Sequence, residues 1–152
     1  MSKAAFAALM NEVAKTVGTR TVDAQLGDYL NDAIPPDGEA FTRIERACHA
    51  AIEAGWMCKH EAGGIRYGRV LRPDAVQGFS VDVVHMNEVR GPRHKHPKGE
   101  IDMVMPIDAA ARFDGHGRGW CAYPAHSEHY PTVTGGAALV LYLLPDGEIE
   151  FT

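Results

Sequence analysis

A chain of 152 residues in which 45% are hydrophobic suits one compact domain and is too apolar to stay disordered. Its formal net charge of −5 offers no concentrated positive face, which excludes nucleic acid as a partner but not a small anion held by one or two local cations. Three cysteines, Cys48, Cys58 and Cys121, stand too far apart to read as a disulfide framework or a CxxC metal site, which predicts a reducing cytoplasm.

In chain order, the first third reads as helix. Phe6, Leu9, Met10, Val13 and Val17 recur at helical spacing behind Ser2, a candidate N-cap. Asn11, Glu12 and Lys15 interrupt the apolar run, so no signal peptide is expected, and no stretch of the chain is long enough to span a membrane. Val22, Leu26, Tyr29, Leu30 and Ala33 repeat the pattern up to Pro35–Pro36. A third stripe, Phe41, Ile44, Cys48, Ala51 and Ile52, opens at Asp37–Gly38 and stops at Gly55. Residues 1–56 are therefore expected to form a helical region.

From Trp56 the character changes to short extended runs separated by Gly and Pro. The runs are Ile65–Leu71, Phe79–Met86, Glu100–Met105, Trp120–Tyr123, His129–Thr132, Ala137–Leu144 and Glu148–Phe151. Gly135–Gly136 is read as a turn before the strongest of them. This spacing predicts an antiparallel β-barrel or sandwich over residues 57–152, with about three helices packed on it.

Eight histidines are present, and five of them lie between His94 and His129. His94 and His96 are two apart, so in a strand both imidazoles face the same side. Pro97–Lys98–Gly99 turns the chain, and Glu100 returns a carboxylate to that side. Two imidazoles and a carboxylate suit a divalent first-row metal. His129 is the candidate fourth ligand and His126 its competitor. Asp102 shares a strand face with Glu100. It is expected either to act as an acid and base or to orient a ligand histidine. Of the other histidines, His49 and His60 are read as surface residues, and His116 sits in a Gly-rich loop. His85 faces inward only if Val81 and Val83 do.

His94-Lys95-His96-Pro97-Lys98-Gly99-Glu100 resembles the first motif of the cupin superfamily, and Pro124-Ala125-His126-Ser127-Glu128-His129 resembles the second. The chain departs from those motifs at three places. Gly91 lies closer to His94 than the leading glycine does, His126 takes the place of the second motif's glycine, and Val133 stands where an asparagine is frequent. The resemblance implies a double-stranded β-helix (jelly-roll) barrel, one divalent ion (iron, manganese or zinc) and a homodimer.

Longer strings narrow the likeness. Gly78-Phe79-Ser80-Val81-Asp82-Val83-Val84, Ala111-Arg112-Phe113-Asp114-Gly115, Gly119-Trp120-Cys121 and Gly135-Gly136-Ala137-Ala138-Leu139-Val140 are similar to the 4-hydroxylaminobenzoate lyase family. That family's reaction, from 4-hydroxylaminobenzoate to 3,4-dihydroxybenzoate and ammonia, implies a small aromatic acid as substrate. A benzoate carboxylate needs a cation, for which Arg66, Arg69 and Arg93 are candidates, Arg66 being read as lining the barrel mouth. Tyr67, Trp120, Tyr130 and Tyr142 are candidates to stack on the ring, or else to pack in the core. Competing expectations are a cupin dioxygenase with iron on the same ligands, a non-catalytic small-molecule-binding cupin, and a sugar isomerase or epimerase.

Overall fold

The computed structural model describes residues 1–152. Three helices come first: α1 (Lys3–Val17), α2 (Ala24–Ala33) and α3 (Glu39–Glu53). Ser2 caps α1, its hydroxyl accepting from the Ala5 amide at 3.1 Å, and Asp23 caps α2 through the Leu26 amide at 3.1 Å. The second helix thus starts at its cap, and Val22 falls outside it. The third opens at Gly38 without a side-chain cap.

Ten strands follow: β1 (His60–Ala62), β2 (Ile65–Leu71), β3 (Phe79–Arg90), β4 (His94–His96), β5 (Glu100–Pro106), β6 (Arg112–Phe113), β7 (Gly119–Tyr123), β8 (Ser127–His129), β9 (Thr132–Pro145) and β10 (Glu150–Phe151). They form two antiparallel sheets. The larger runs β1-β2-β3-β9-β5-β7 with β6 paired to β9, and the smaller runs β10-β4-β8. Two expectations about the strands need correction. β9 is continuous through Gly135 and Gly136, where the backbone passes so close to Ala110 and Asp108 that side chains there would collide with them. The run expected at His129–Thr132 is split, because β8 ends at His129 and β9 begins at Thr132.

The large sheet is buried on both faces. One face carries Val81, Val83, Ile101, Met103, Met105, Leu139, Leu141 and Leu143, packed with Phe6, Met10, Leu30, Phe41 and Ile44 of the helices in a single core. Burying each such side chain contributes roughly 1.5–3 kcal/mol. The opposite face carries Val84, Met86, Val104, Val140, Tyr142 and Leu144, which with Phe113 and Val133 form a second core between the sheets. Alternation along β5 therefore sends Ile101 and Met103 to the helices, and Glu100 and Asp102 between the sheets.

β7 is an edge strand, and α2 covers it. Asn31 both donates to the Trp120 carbonyl at 2.9 Å and accepts from the Trp120 amide at 2.8 Å. An edge satisfied in this way cannot recruit another strand. Trp120 faces the helices. Its indole N–H donates to the Ile34 carbonyl at 3.0 Å, and its ring meets Phe41 edge-on at 6.0 Å. Trp120 therefore packs in the core on the helix side of the sheet. Trp120→Ala is expected to cost about 3–5 kcal/mol by chemical denaturation while leaving the site between the sheets intact. No helix is long and apolar enough to cross a membrane.

Candidate metal centre

Three short strands bring four side chains to one point between the sheets. In β4 the alternation buries His94 and His96 and turns Lys95 away. β8 lies antiparallel to β4 with His129 opposite His94 and Ser127 opposite His96. The turn between β4 and β5 closes at Gly99, whose φ is +95° and where a Cβ would stand 2.8 Å from Val22 and 2.9 Å from the Tyr123 carbonyl. Only glycine fits that conformation and that space. The turn then delivers Glu100, fully buried, beneath the two imidazoles.

The donor atoms of His94, His96, Glu100 and His129 all lie within 4.8 Å of one another. The Nε2 atoms of His94 and His129 are 3.0 Å apart. Glu100 Oε1 lies 3.4 Å from His94 Nε2, and Oε2 lies 3.3 Å from His96 Nε2 and 3.6 Å from His129 Nε2. Ligands about 2.1 Å from a shared ion stand about 3.0–3.4 Å apart at octahedral to tetrahedral angles. His96 Nε2 and both Glu100 oxygens are buried without a hydrogen-bond partner. Buried polar atoms without partners are rare, and a cation among them would satisfy these three together. The residues fit a divalent ion.

Neighbouring groups fix which nitrogen His96 and His129 present. The Ser127 hydroxyl donates to the Pro124 carbonyl at 2.6 Å and can accept from His96 Nδ1 at 2.9 Å. That leaves the lone pair of His96 on Nε2. His129 Nδ1 donates to Asp114 Oδ2 at 2.6 Å, and Asp114 is in turn held by the Tyr123 hydroxyl at 2.7 Å and the Thr132 amide at 2.9 Å. Asp114 comes from the loop after β6, where nothing in the sequence spacing singled it out.

Charge follows the same geometry. Burial raises the Glu100 pKa, but the three imidazoles outweigh it and hold that carboxyl well below the ordinary range. Burial likewise opposes protonation of His129, yet Asp114 and Glu100 win and lift its pKa to about 9. Asp102 moves the other way. It is fully buried, both oxygens lack a partner, and burial followed by the charge of Glu100 pushes its carboxyl well above the ordinary range. Neither Asp102 oxygen hydrogen-bonds to a ligand histidine.

A cavity of about 450 Å³ opens beside His94. Its walls are mainly apolar, with Ile65, Tyr67, Val84, Met86, Tyr142 and Phe151 among them. Arg69 and Asp82 supply the remaining charge. Tyr67 is thus at the cavity, but several other expected contacts are not. Arg66 pairs with His85, on the face of β2 and β3 that carries Val83, so it points away from the space between the sheets. His85 shares that face. Arg93 lies off the cavity, ion-paired with Glu128. Tyr130 is exposed, with Arg90 stacked on its ring. His126 is exposed and outside the cluster, while its φ of +70° supplies the left-handed turn that a glycine makes in the second motif.

Antiparallel sheets enclosing an inward-facing His-x-His, glutamate and distant histidine define a cupin-type barrel with a site that could hold a metal ion. Residues 8–151 match the family model described as 4-hydroxylaminobenzoate lyase, and the chain belongs to that family, which makes it a lyase. It is 37% identical over 142 residues to a 4-hydroxylaminobenzoate lyase of Nocardioides sp. (strain LMS-CY), covering 87% of this chain and 84% of the relative. It is 32% identical over 153 residues to the enzyme of that name from Pseudomonas putida, covering 89% and 87%. Among solved structures, an RmlC-like cupin protein from Ralstonia eutropha JMP134 superposes with a TM-score of 0.45 at 16% identity, over 59% of this chain and 60% of that one.

Proposed function

We propose that this chain converts 4-hydroxylaminobenzoate, or a closely related hydroxylamino-aromatic acid, to 3,4-dihydroxybenzoate and ammonia, with a divalent ion held by His94, His96, Glu100 and His129. The observation that carries this reading is the convergence of four donors beside an apolar cavity of about 450 Å³, large enough for one benzene ring with polar ends, in a chain of this family. The reaction balances without an external oxidant or reductant. Two waters add, one at the ring carbon beside the nitrogen-bearing carbon and one at that carbon as its C–N bond breaks. The N–O oxygen leaves as water, so one water is consumed net, and nitrogen leaves as ammonia after gaining the two electrons that the first of those ring carbons loses.

A divalent ion held by His94, His96, Glu100 and His129 would supply Lewis-acid polarisation of the hydroxylamine oxygen. The chain's own residues handle the protons. Asp102, kept protonated by burial and by Glu100, gives its proton to the departing hydroxylamine oxygen. Its carboxylate then takes a proton from the ring carbon where water has added. Tyr67 and Tyr142 pack on the ring, and the apolar walls keep bulk water from the reacting atoms. Three free, buried cysteines support a reducing cytoplasm as the setting.

The test is turnover by the metal-loaded protein with an oxygen electrode in the cell. Ammonia and 3,4-dihydroxybenzoate are expected in equal amounts, without oxygen uptake. Turnover coupled to oxygen uptake overturns the lyase reading in favour of a dioxygenase. Asp114 offers a further check. Asp114→Ala releases the His129 ring and is expected to lower metal affinity about 10–100-fold in a chelator competition.

A further inference from the structure

Arg69 is the sole arginine or lysine at the cavity. Its partner residues run straight across the large sheet toward the metal centre. Arg69 is opposite Asp82, Asp82 opposite Tyr142, and Tyr142 opposite Asp102. Strands in a sheet lie about 4.8 Å apart, so three steps separate the Cα atoms of Arg69 and Asp102 by at most about 14 Å. With both side chains reaching inward, that row leaves the length of a benzene ring substituted at opposite ends.

The arginine is held in a fixed orientation. Nε donates to Asp82 Oδ1 at 2.8 Å, and Nη2 donates to Asp82 Oδ2 at 3.3 Å and to the Gly147 carbonyl at 3.0 Å. Nη1 has no partner in the protein. The space beside it is kept clear by Gly147, where a Cβ would stand 2.8 Å from that nitrogen. A guanidinium pinned on one edge and open on another is a preorganised receptor for an anion. Asp82 pairs with the arginine, whose side chain is 40% exposed, so water and the carboxylate together support the cation beside the apolar wall.

Resting on the lyase reading above, we infer that Arg69, through its open Nη1 edge, binds the carboxylate of the aromatic acid and so sets both the orientation of the ring and the preference for acids over uncharged hydroxylamines. The acid end sits over β2, and the hydroxylamino end reaches across Tyr142 to the metal centre and Asp102. Asp82 is the positioning residue that holds the fork.

Two measurements on the metal-loaded protein test this. In steady-state kinetics, Arg69→Ala is expected to raise KM for 4-hydroxylaminobenzoate by about 10–100-fold and to change kcat less than about threefold, with kcat/KM for uncharged phenylhydroxylamine little altered. The preference for the acid therefore collapses. In calorimetry, benzoate is expected to bind the wild type and to bind Arg69→Ala at least about tenfold more weakly. A merely structural arginine would lower both substrates alike, and an unchanged preference overturns the inference. Should Arg69→Ala fail to fold, Arg69→Lys keeps the charge without the fork, and an unchanged acid preference in that variant overturns the inference equally. The functional reading fails separately: wild type that binds benzoate in an Arg69-dependent way yet turns over neither substrate sinks the lyase reaction and leaves the carboxylate site standing.

Discussion

The His96→Ala protein is expected to fold, to carry less than about one tenth of an equivalent of divalent metal, and to turn over at least ~10³-fold more slowly than the wild type. His96 is the ligand with the least freedom to be replaced. It is fully buried, its Nδ1 is engaged by Ser127, and its Nε2 has no role within the protein except to face Glu100. Folding should survive because the main core lies on the other face of the large sheet, among the helices. A modest loss of stability is expected without metal, since Glu100 keeps two of the three imidazoles that hold it ionised. Elemental analysis of the purified protein reads the metal, and ammonia release reads the turnover. His126→Ala is the matched control. Its side chain is exposed, so metal content should not change. Full metal in His96→Ala, or equal loss in both variants, would contradict the assignment of ligands.

The first half of the centre was legible in the sequence because its information is local. Two histidines at i and i+2 must share a strand face, and a glycine turn followed by glutamate returns a carboxylate to that face. The rest depends on pairings that span the chain. His129 and His126 are separated only by which of them lies in β8, and the answer comes from the register that sets His129 opposite His94.

The arginines show the same limit more sharply. Arg66 and Arg69 are three apart, so they occupy opposite faces of β2 and only one can meet the cavity. Pairing with Asp82 decides for Arg69, in a strand whose register shifts between Arg69 and Leu71. Trp120 stays open between ring stacking and core packing in the sequence for a related reason. Gly119 to Ala122 are all buried, so hydrophobicity gives no clue to which face of β7 meets the helices and which meets the second core. Asp114 stands in one of the strings that carry the family likeness, but its role was not legible there, because that role is set by where a Gly-rich loop passes behind His129.

Asp102→Asn is expected to separate chemistry from metal binding. The substitution is nearly isosteric and replaces a buried carboxyl, pressed by Glu100 and lacking any hydrogen-bond partner, with a neutral amide. Removing a group that resists ionisation and crowds a carboxylate should leave the melting temperature unchanged or raise it by about 2–4 °C. Metal content should stay at the wild-type level, because Asp102 holds none of the ligand histidines. Turnover should fall about 10²–10⁴-fold, since an amide can neither give up the proton that the leaving oxygen needs nor accept one from the ring. Calorimetric melting, elemental analysis and product assay on the same preparation read the three quantities together. Loss of metal with a lower melting temperature would mark Asp102 as a support for the ligands instead. Full turnover in the asparagine variant would remove it from the reaction and leave the proton transfers to water at the cavity mouth.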